Sequence, residues 1–508
     1  MDPDKRPDGE RPPLPWSPVP SVALADALRQ QGTPPWLGEL RAIVGAAHVL
    51  TAAPDLWVYC RDRSPYAVFN VRNARVPTML PSAVACPGSA GELAEVIRLT
   101  RRLHIPVIPF GAGSGVLGGT LPLQRELVID LKRLNRIVDI DETDCTVTVE
   151  AGMNGAQFEA ALNTRGLTAG HLPQSLHMST VGGWAACRGA GQTSTRYGKI
   201  EDMVLGLEVV LPDGRLLRVR PVARRSTGPS IKDLFVGSEG AFGVITQVTL
   251  RAWRLPEARH GVVLGFPTLQ DGFDALRKIM QAELRPAVVR LYDAGESANR
   301  SHGRAPFDTR PFLAVLEFCG SRRLAALERE LALEICEAHG AVETDDAIYR
   351  EWQSHRFQSF SVPWQARDYY VDTIEVTAPW SVLPALHAAA TAAIASLGGG
   401  IDFGVHWSHV YSEGACQYMT IRLPPMPEDR ALPLLRRAWD LLQGSSLAHG
   451  CSISHHHGVG MFRNPWLAAE LEIGLELLQA LKDHVDPESL FVAGKLGLLR
   501  RDAEGCDA

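Results

Sequence analysis

The chain has 508 residues, 45% of them hydrophobic and 21% charged, with a formal net charge of −6; that is enough apolar material for two or three cores, and a balance that argues against a nucleic-acid surface while leaving room for local basic patches that grip a phosphate or carboxylate. No uninterrupted apolar run reaches the roughly 18 residues of a spanning helix, and nine cysteines without a CxxC pair read as reduced thiols. The polar, proline-rich opening MDPDKRPDGERPPLPW is neither a secretory leader nor a transit sequence, so the expectation is a cytoplasmic protein, and its arginine-rich, lysine-poor usage reads as the codon bias of a GC-rich bacterial genome.

Residues 1 to about 20 read as an unstructured lead, and 21–75 as short helices and loops packing on the main body. Strand signals begin near Arg75. A strand over 105–108 runs into PFGAGSGVLGGT at 109–120, and beyond that loop lies a second apolar, strand-like run at 127–131. That context excludes a P-loop, which needs Gly-Lys-Ser/Thr opening a helix, and a Rossmann turn, whose glycines sit at a strand-to-helix junction. What remains is a loop whose five glycines, Gly111, Gly113, Gly115, Gly118 and Gly119, let backbone N–H groups converge on an anion such as a pyrophosphate. The plainer alternative is a glycine-rich turn between two strands.

Further along, 144–151 reads as a strand and 156–165 as an amphipathic helix. A second glycine segment, STVGGW at 179–184 extended by GAGQ at 189–192, comes after the polar run 170–176. Two alternating apolar runs over 204–219 joined by Pro212, Asp213 and Gly214 predict a hairpin, and a third glycine segment, GSEGAFG at 237–243, leads into a strand over 244–250. Three such segments make a cradle too long for a phosphate alone. They suit FAD, which offers a pyrophosphate, a polar isoalloxazine edge and an apolar ring face. Because the first loop carries Ala112 and Ser114 and no His or Cys to form the usual linkage, the FAD is expected to be held non-covalently.

From His260 the rhythm becomes strand, helix, strand: 262–266, 271–283, 287–292, then 312–318 with a helix over 322–339, then 372–376 with a helix over 383–396, then a strand-rich 406–423. Such units form an antiparallel sheet with helices on one face.

Three groups of residues here carry chemistry. His455, His456 and His457 are adjacent; in an extended segment only His455 and His457 would share a side, and His406 and His409 lack diagnostic ligand spacing, so no metal is assigned and an acid/base role is favoured over a structural polar cluster. Arg290, in the strand-like VVRLYD at 288–293, would bury its stem, and a buried guanidinium requires an anionic partner: a substrate phosphate or carboxylate, or else Asp293 or another internal acid. Tyr418, in GACQY, is either an ordinary strand tyrosine or a proton carrier; a free phenol titrates near ~10, and neighbouring imidazoles would ease its ionisation.

On PFGAGSGVLGG and GSEGAFGVIT the chain resembles the vanillyl-alcohol oxidase superfamily of FAD proteins across roughly 76–497, and on the segments 170–210, 226–246, SHVYSEGACQY and SISHHHGVG it resembles, within that superfamily, the alkylglycerone-phosphate synthases. The resemblance implies an α+β, two-domain PCMH-type FAD-binding fold: an N-terminal helical segment over 1–75, the FAD domain over 76–256, an antiparallel-sheet cap domain over 257–445, and a tail over 446–508 that returns to the FAD domain and sets the histidine triplet near the ring. Implied cofactor contacts are Pro109, Gly111, Ala112, Gly113, Ser114 and Gly115 in the first loop, Gln174, Ser175, Ser179, Thr180, Gly182, Gly183, Arg188 and Gly189 in the second, and Glu239, Gly240, Gly243, Val244 and Ile245 in the third.

The implied reaction exchanges the acyl group of acyl-dihydroxyacetone phosphate for a fatty alcohol, as in ether-lipid synthesis. Tyr418 and the triplet assist proton removal, flavin N5 holds the dihydroxyacetone unit, His171 lies near flavin and substrate, and Arg290 holds the phosphate. The family's further arginine matches Arg367, but residues are deleted between it and the segment from Glu375 to Trp380, so either Arg367 still reaches the pocket or Arg356 takes its role. The alternative function is a 2-hydroxy-acid dehydrogenase or oxidase of the lactate or glycolate type, with arginine gripping a carboxylate; a flavin-binding protein without turnover is a third reading. Implied partners are a small anionic substrate, a second copy in a homodimer and a peripheral membrane contact.

Overall fold

Three sheets account for most of the predicted strands. The computed structural model describes residues 21–29, 32–301, 304–492 and 494–498, so the N-terminal lead lies outside the described residues. In the first sheet the order is Val49–Leu50, Ala83–Ala85, Leu127–Asp130, Val107–Phe110, and the last two pairings are parallel. Parallel neighbours need a crossover. The one from Phe110 to Leu127 contains no helix, only the glycine-rich loop, which therefore lies at the sheet's carboxyl end. The other crossover is a helix, Ala90–Arg102, that the strand signals did not single out; Ser89 accepts from Glu92 N at 3.1 Å while the Glu92 carboxylate accepts from Gly88 N at 2.7 Å, a reciprocal cap of the Ser-x-x-Glu kind.

The second sheet is antiparallel throughout, in the order Leu216–Val219, Val204–Val210, Val244–Arg251, Thr146–Glu150, Ile137–Asp141. The hairpin predicted at Asp213 is its edge. Helices Gly155–Asn163 and Val181–Cys187 share its core, where Val149, Phe158, Trp184, Val209 and Val248 are buried. These two sheets make the cofactor side of the molecule.

The third sheet has seven antiparallel strands in the order Val342–Thr344, Ala258–Phe266, Phe312–Gly320, Val288–Tyr292, Asp402–Val410, Gly414–Leu423, Tyr370–Pro379. Strand alternation sorts its residues. Leu291, Leu316, Ile374, Trp407 and Met419 belong to one face and pack with Phe273, Leu386 and Trp439 from the helices Leu269–Gln281, Leu383–Ala395 and Glu428–Ala448. The opposite face carries Arg290, Tyr292, Glu375, His406 and Tyr418.

The tail after Cys451 packs back against the first sheet and the glycine segments. Val107 N donates to Leu490 O and Val492 N to Val107 O, extending the first sheet's edge; Lys482 Nζ donates to Ala241 O at 2.9 Å and Lys495 Nζ to Gly119 O at 2.9 Å. Two buried ammonium groups thus tie the tail to the first and third glycine segments. Among the described residues no helix is long and apolar enough to cross a membrane.

Candidate active site

Cross-strand register lines up the polar face of the large sheet. Tyr292 is opposite His406, His406 opposite Tyr418, and Tyr418 opposite Glu375, one row over four strands. The His406 and Tyr418 rings stack, with centroids 4.7 Å apart and planes at 25°, and the Tyr418 hydroxyl lies 3.2 Å from Thr373 Oγ1. A bulge adds one more imidazole. The register shifts between Ser408 and Val410, and His409 between them has φ +51°, so the extra residue is turned onto the face of His406 instead of into the helical core.

The histidine triplet is not extended. Its backbone wraps the Glu375 carboxylate, whose Oε1 accepts from the N–H of His455 at 3.3 Å, of His456 at 3.2 Å and of His457 at 2.9 Å, and from Arg463 at 2.9 Å. Three successive N–H groups converging on one oxygen fold the segment into a nest, and that overturns the expected sharing of a side by His455 and His457: the Nδ1 atoms of His455 and His456 are 2.8 Å apart, while His457 Nδ1 sits 2.8 Å from Glu375 Oε2. The rings continue the stack, His456 lying 6.0 Å from Tyr418 and 4.9 Å from His409. One nitrogen from each of His409, His455 and His456 falls within 4.8 Å of the others, a convergence the sequence spacing does not show.

Burial sets the charge state of this wall. It pushes His409 down to about 3 and His406, His455 and His456 well below the usual imidazole range, with Arg290 adding to the effect on His406 and His409. These rings are neutral at pH 7. Burial also pushes the Tyr418 phenol up, the reverse of the easing expected from neighbouring imidazoles, because neutral rings offer no charge to stabilise a phenolate. For Glu375 burial alone acts upward, yet Arg463 and His457 hold its carboxyl well below the usual range. Glu375 is fully charged and His457 is the ring in contact with it.

The three glycine segments meet one another. A Cβ on Gly111 would stand 2.5 Å from Thr180 Oγ1, and one on Gly240 would stand 3.0 Å from Pro109 Cγ, whereas beside Gly115 nothing lies within 4 Å. The first loop therefore touches both of the others and stays open at Gly115. Gly113 has φ +62° and Gly240 φ +87°, conformations that side chains rarely adopt. Thr180 caps its helix by accepting from Gly183 N, Gly182 packs on Ala151, and Ser179 Oγ accepts from Trp184 Nε1 at 2.8 Å and donates to Ser175 O at 2.8 Å. Arg188 is a left-handed residue ending that helix, just before Gly189. Val244 and Ile245 open the Val244–Arg251 strand behind Gly243, while Ala112 and Ser114 complete the first loop.

His171 is wholly buried with neither ring nitrogen hydrogen-bonded; its ring lies 4.6 Å from Trp184 and its Nε2 is 3.9 Å from where a Gly189 Cβ would be. Burial pushes it down to about 3, so it presents a neutral donor and acceptor with no hydrogen-bond partner among the described residues. An open glycine cradle with an unsatisfied imidazole behind it fits a flavin dinucleotide, whose phosphates take backbone N–H groups and whose ring edge offers both hydrogen-bond senses.

Two predicted cofactor residues act differently. The buried Glu239 carboxylate turns away from the loop and accepts from Val459 N at 2.7 Å and Gly460 N at 2.8 Å, bracing the stretch of chain just past the histidines. Gln174 Nε2 donates to Gln358 O, and Gln192 Nε2 donates to Arg356 O at 2.7 Å, so both glutamines clasp the cap segment after helix Ala347–His355.

Arg290 joins the site. Its Nε donates to Tyr292 Oη at 2.7 Å and its Nη2 lies 2.8 Å from His406 Nε2. Asp293 is not its partner, for that carboxylate accepts from Glu296 N and Val405 N. Arg367 is not brought in: it is exposed, donates to Pro363 O and stacks on Trp364. Arg356 is, with its guanidinium 4.7 Å from the Trp352 ring that Arg290 also approaches, at 6.0 Å. Sequence reasoning missed Glu375, Arg463, Trp352 and Gln192 as site builders. The alternation of Thr373 and Glu375 with the apolar Ile374 and Val376 was the available signal for the first of these.

Comparison with known proteins agrees with this geometry. Residues 81–220 match the FAD binding domain model, and 255–496 match the C-terminal domain of FAD linked oxidases. The chain is 28% identical over 472 residues to an alkyldihydroxyacetonephosphate synthase of Dictyostelium discoideum, covering 86% of this chain and 75% of that one, and 29% identical over 430 residues to a probable mitochondrial D-lactate dehydrogenase of Danio rerio, covering 82% and 84%. A solved structure of alkyldihydroxyacetonephosphate synthase superposes with a TM-score of 0.74 at 22% identity, over 93% of this chain and 88% of that one, which establishes the PCMH-type fold.

Proposed function

Because the chain belongs to the FAD-linked oxidases and takes FAD as its cofactor, we propose that it is an alkylglycerone-phosphate synthase, exchanging the acyl chain of acyl-dihydroxyacetone phosphate for a fatty alcohol. The observation that carries this reading is the stack of a neutral phenol between neutral imidazoles, Tyr418 between His406 and His456, ending at one carboxylate-backed ring, His457, with Arg290 at the other end. A wall so built moves protons without holding net charge of its own. FAD supplies the electron-accepting ring system that such an exchange uses. The carbon bearing the ester gives up a proton toward Tyr418 Oη and the histidine stack, and the charge gained comes to rest at His457, where the Glu375 carboxylate stabilises it. The C–O bond to the acyl group breaks with its electron pair leaving on the fatty acid, the alcohol oxygen forms the replacing bond, the relay returns one proton to the carbon and passes the alcohol's proton to the departing fatty acid, and the exchange is redox-neutral overall. Arg290 holds the anionic end of the substrate.

A second reading, a 2-hydroxy-acid dehydrogenase, is supported by the Danio rerio relative; there Arg290 would hold a carboxylate and an external acceptor would be required. The two differ in electron balance, which decides the test. FAD-loaded protein given acyl-dihydroxyacetone phosphate and hexadecanol without oxygen or any acceptor should release fatty acid and ether product one for one and finish with oxidised flavin. Rapid flavin bleaching by a 2-hydroxy acid, with no ether from the lipid pair, would overturn the synthase reading.

A further inference from the structure

The buried Arg463 and Arg422 and the half-buried Arg300 and Arg196 come with carboxylates: Arg463 pairs with Glu375, Arg422 and Arg300 with Glu296, and Arg196 with Glu328. Arg290 and Arg356 are the exceptions in the site: both are half-buried, and neither has a carboxylate within 4.0 Å among the described residues. The acid that acts on Arg356 is already committed, Glu317 Oε1 to Arg259 at 2.8 Å and Oε2 to the Tyr349 hydroxyl at 2.7 Å.

Neither side chain is loose. Arg356 Nε donates to Gln192 Oε1 at 2.9 Å while Gln192 returns a bond to the Arg356 carbonyl, its guanidinium lies on Trp352 and Phe357, and its Nη2 is buried without a partner. Arg290 is fixed by Tyr292 and His406. The charge of Arg290 acts on Arg356. Two guanidinium groups held close to one indole, half-buried and without a carboxylate, favour an anion that enters between them, and a pair of fixed positive charges matches two negative charges better than one. His406, held neutral, adds none.

We propose that Arg290 and Arg356 form a clamp for a phosphate monoester dianion, with Arg356, delivered by the cap segment that Gln174 and Gln192 clasp, as its second guanidinium in place of Arg367. The clamp deepens the synthase reading and rests on it only for the lipid that carries the phosphate; the anion chemistry comes from the two arginines.

Binding to the FAD-loaded protein, measured by calorimetry with no second substrate, tests it. Glycerol 3-phosphate should bind at least ~30-fold more tightly than D-lactate; Arg356→Gln should weaken the phosphate ester ~30-fold or more, the scale of losing one partner of a desolvated charge pair, and weaken lactate by less than ~3-fold. Arg356→Lys, which keeps the charge and loses the fork, should fall between, and equal FAD content in all variants shows that the fold persists. Arg367→Gln should stay within ~2-fold of wild type. A 1-palmitoyl ester of the same phosphate that binds more tightly still identifies a lipid headgroup as the source, and equal affinity identifies the free ester. Wild-type affinity in Arg356→Gln, equal losses in Arg367→Gln, or no preference for the phosphate over lactate would overturn the clamp. Clamp binding without ether formation would sink the synthase reading alone, and ether formation by Arg356→Gln at unchanged KM would sink the clamp alone.

Discussion

Replacing His171 by leucine should flatten the acid sensitivity of folding by a calculable amount. In the folded protein this imidazole is wholly buried, unpaired and held down to about 3, against ~6.5 in the unfolded chain. The unfolded state therefore binds a proton as pH falls through ~6.5 while the folded state refuses it until about 3, so folding loses stability across that window as acid is added. Integrated from pH 7.0 to 5.5 the loss is about 1.2 kcal/mol for this one residue. His409, also near 3, adds a similar term, and His406, His455 and His456 act in the same direction. Asp372 opposes them: burial raises its carboxyl to about 7, so it gains a proton in the folded state over the same range and offsets part of the loss. The wild-type slope alone is thus a composite, but the difference between wild type and His171→Leu isolates one term, since every other group is shared. Urea unfolding of both proteins at the two pH values, followed by tryptophan fluorescence, should give a difference of differences near 1.2 kcal/mol, the variant being the less pH-sensitive. Parallel pH dependence in the two proteins, within about 0.3 kcal/mol, would refute the assignment of His171 as a buried neutral ring.

Acid precipitation should leave the protein pellet colourless and carry FAD into the supernatant, as expected of a loop with Ala112 and Ser114 where a covalent linkage would need a nucleophile; a yellow pellet would count against it. Gly113→Val and Gly240→Val should strip most of the flavin, because both positions have positive φ and an added Cβ would press within 2.7 Å of the Phe110 ring and 3.0 Å of Pro109 respectively; FAD content equal to wild type would show that loop to be uninvolved. Tyr418→Phe should keep its flavin and lose turnover by on the order of 10²-fold, the usual scale for a proton-transferring group, and undiminished turnover would make the hydroxyl structural. Glu375→Gln should cost turnover to a similar degree, because His457 loses the carboxylate it contacts, whereas undiminished turnover would reduce Glu375 to a brace.

The sequence made legible those parts of the site that depend on local backbone chemistry. The glycine loops showed themselves through composition, with Gly113, Gly118 and Gly240 in positive-φ conformations that favour glycine, and the strand-like runs that hold Arg290 and Tyr418 are strands in the structure. The hairpin at Asp213 and the strand-helix units of the cap were readable for the same reason. What stayed hidden is set by long-range pairing. No local signal says that His406, Tyr418 and Glu375 become neighbours on three strands, that a bulge swings His409 onto their face, or that three consecutive histidines curl round a carboxylate instead of alternating. The resemblance implies Glu239 as a cofactor contact, yet its carboxylate reaches across to Val459 N and Gly460 N. Arg367 matched by order along the chain and failed by position, since the shortened connection before Tyr370–Pro379 leaves it in solvent.

The Glu239 bridge changes how the motif SISHHHGVG should be understood across relatives. A Cβ at position 458 would come within 2.4 Å of Glu239 Oε1 and one at 460 within 2.1 Å of Leu117 O, and both glycines have positive φ, so Gly458 admits a carboxylate that lies 220 positions before Val459 in the chain while Gly460 lets the segment pass the first loop. The two stretches are one joint made of separated parts. Substitution at either end leaves its counterpart without a purpose, so positions 239 and 458 should drift together or not at all, and a relative that has lost the acid is free to fill the glycine.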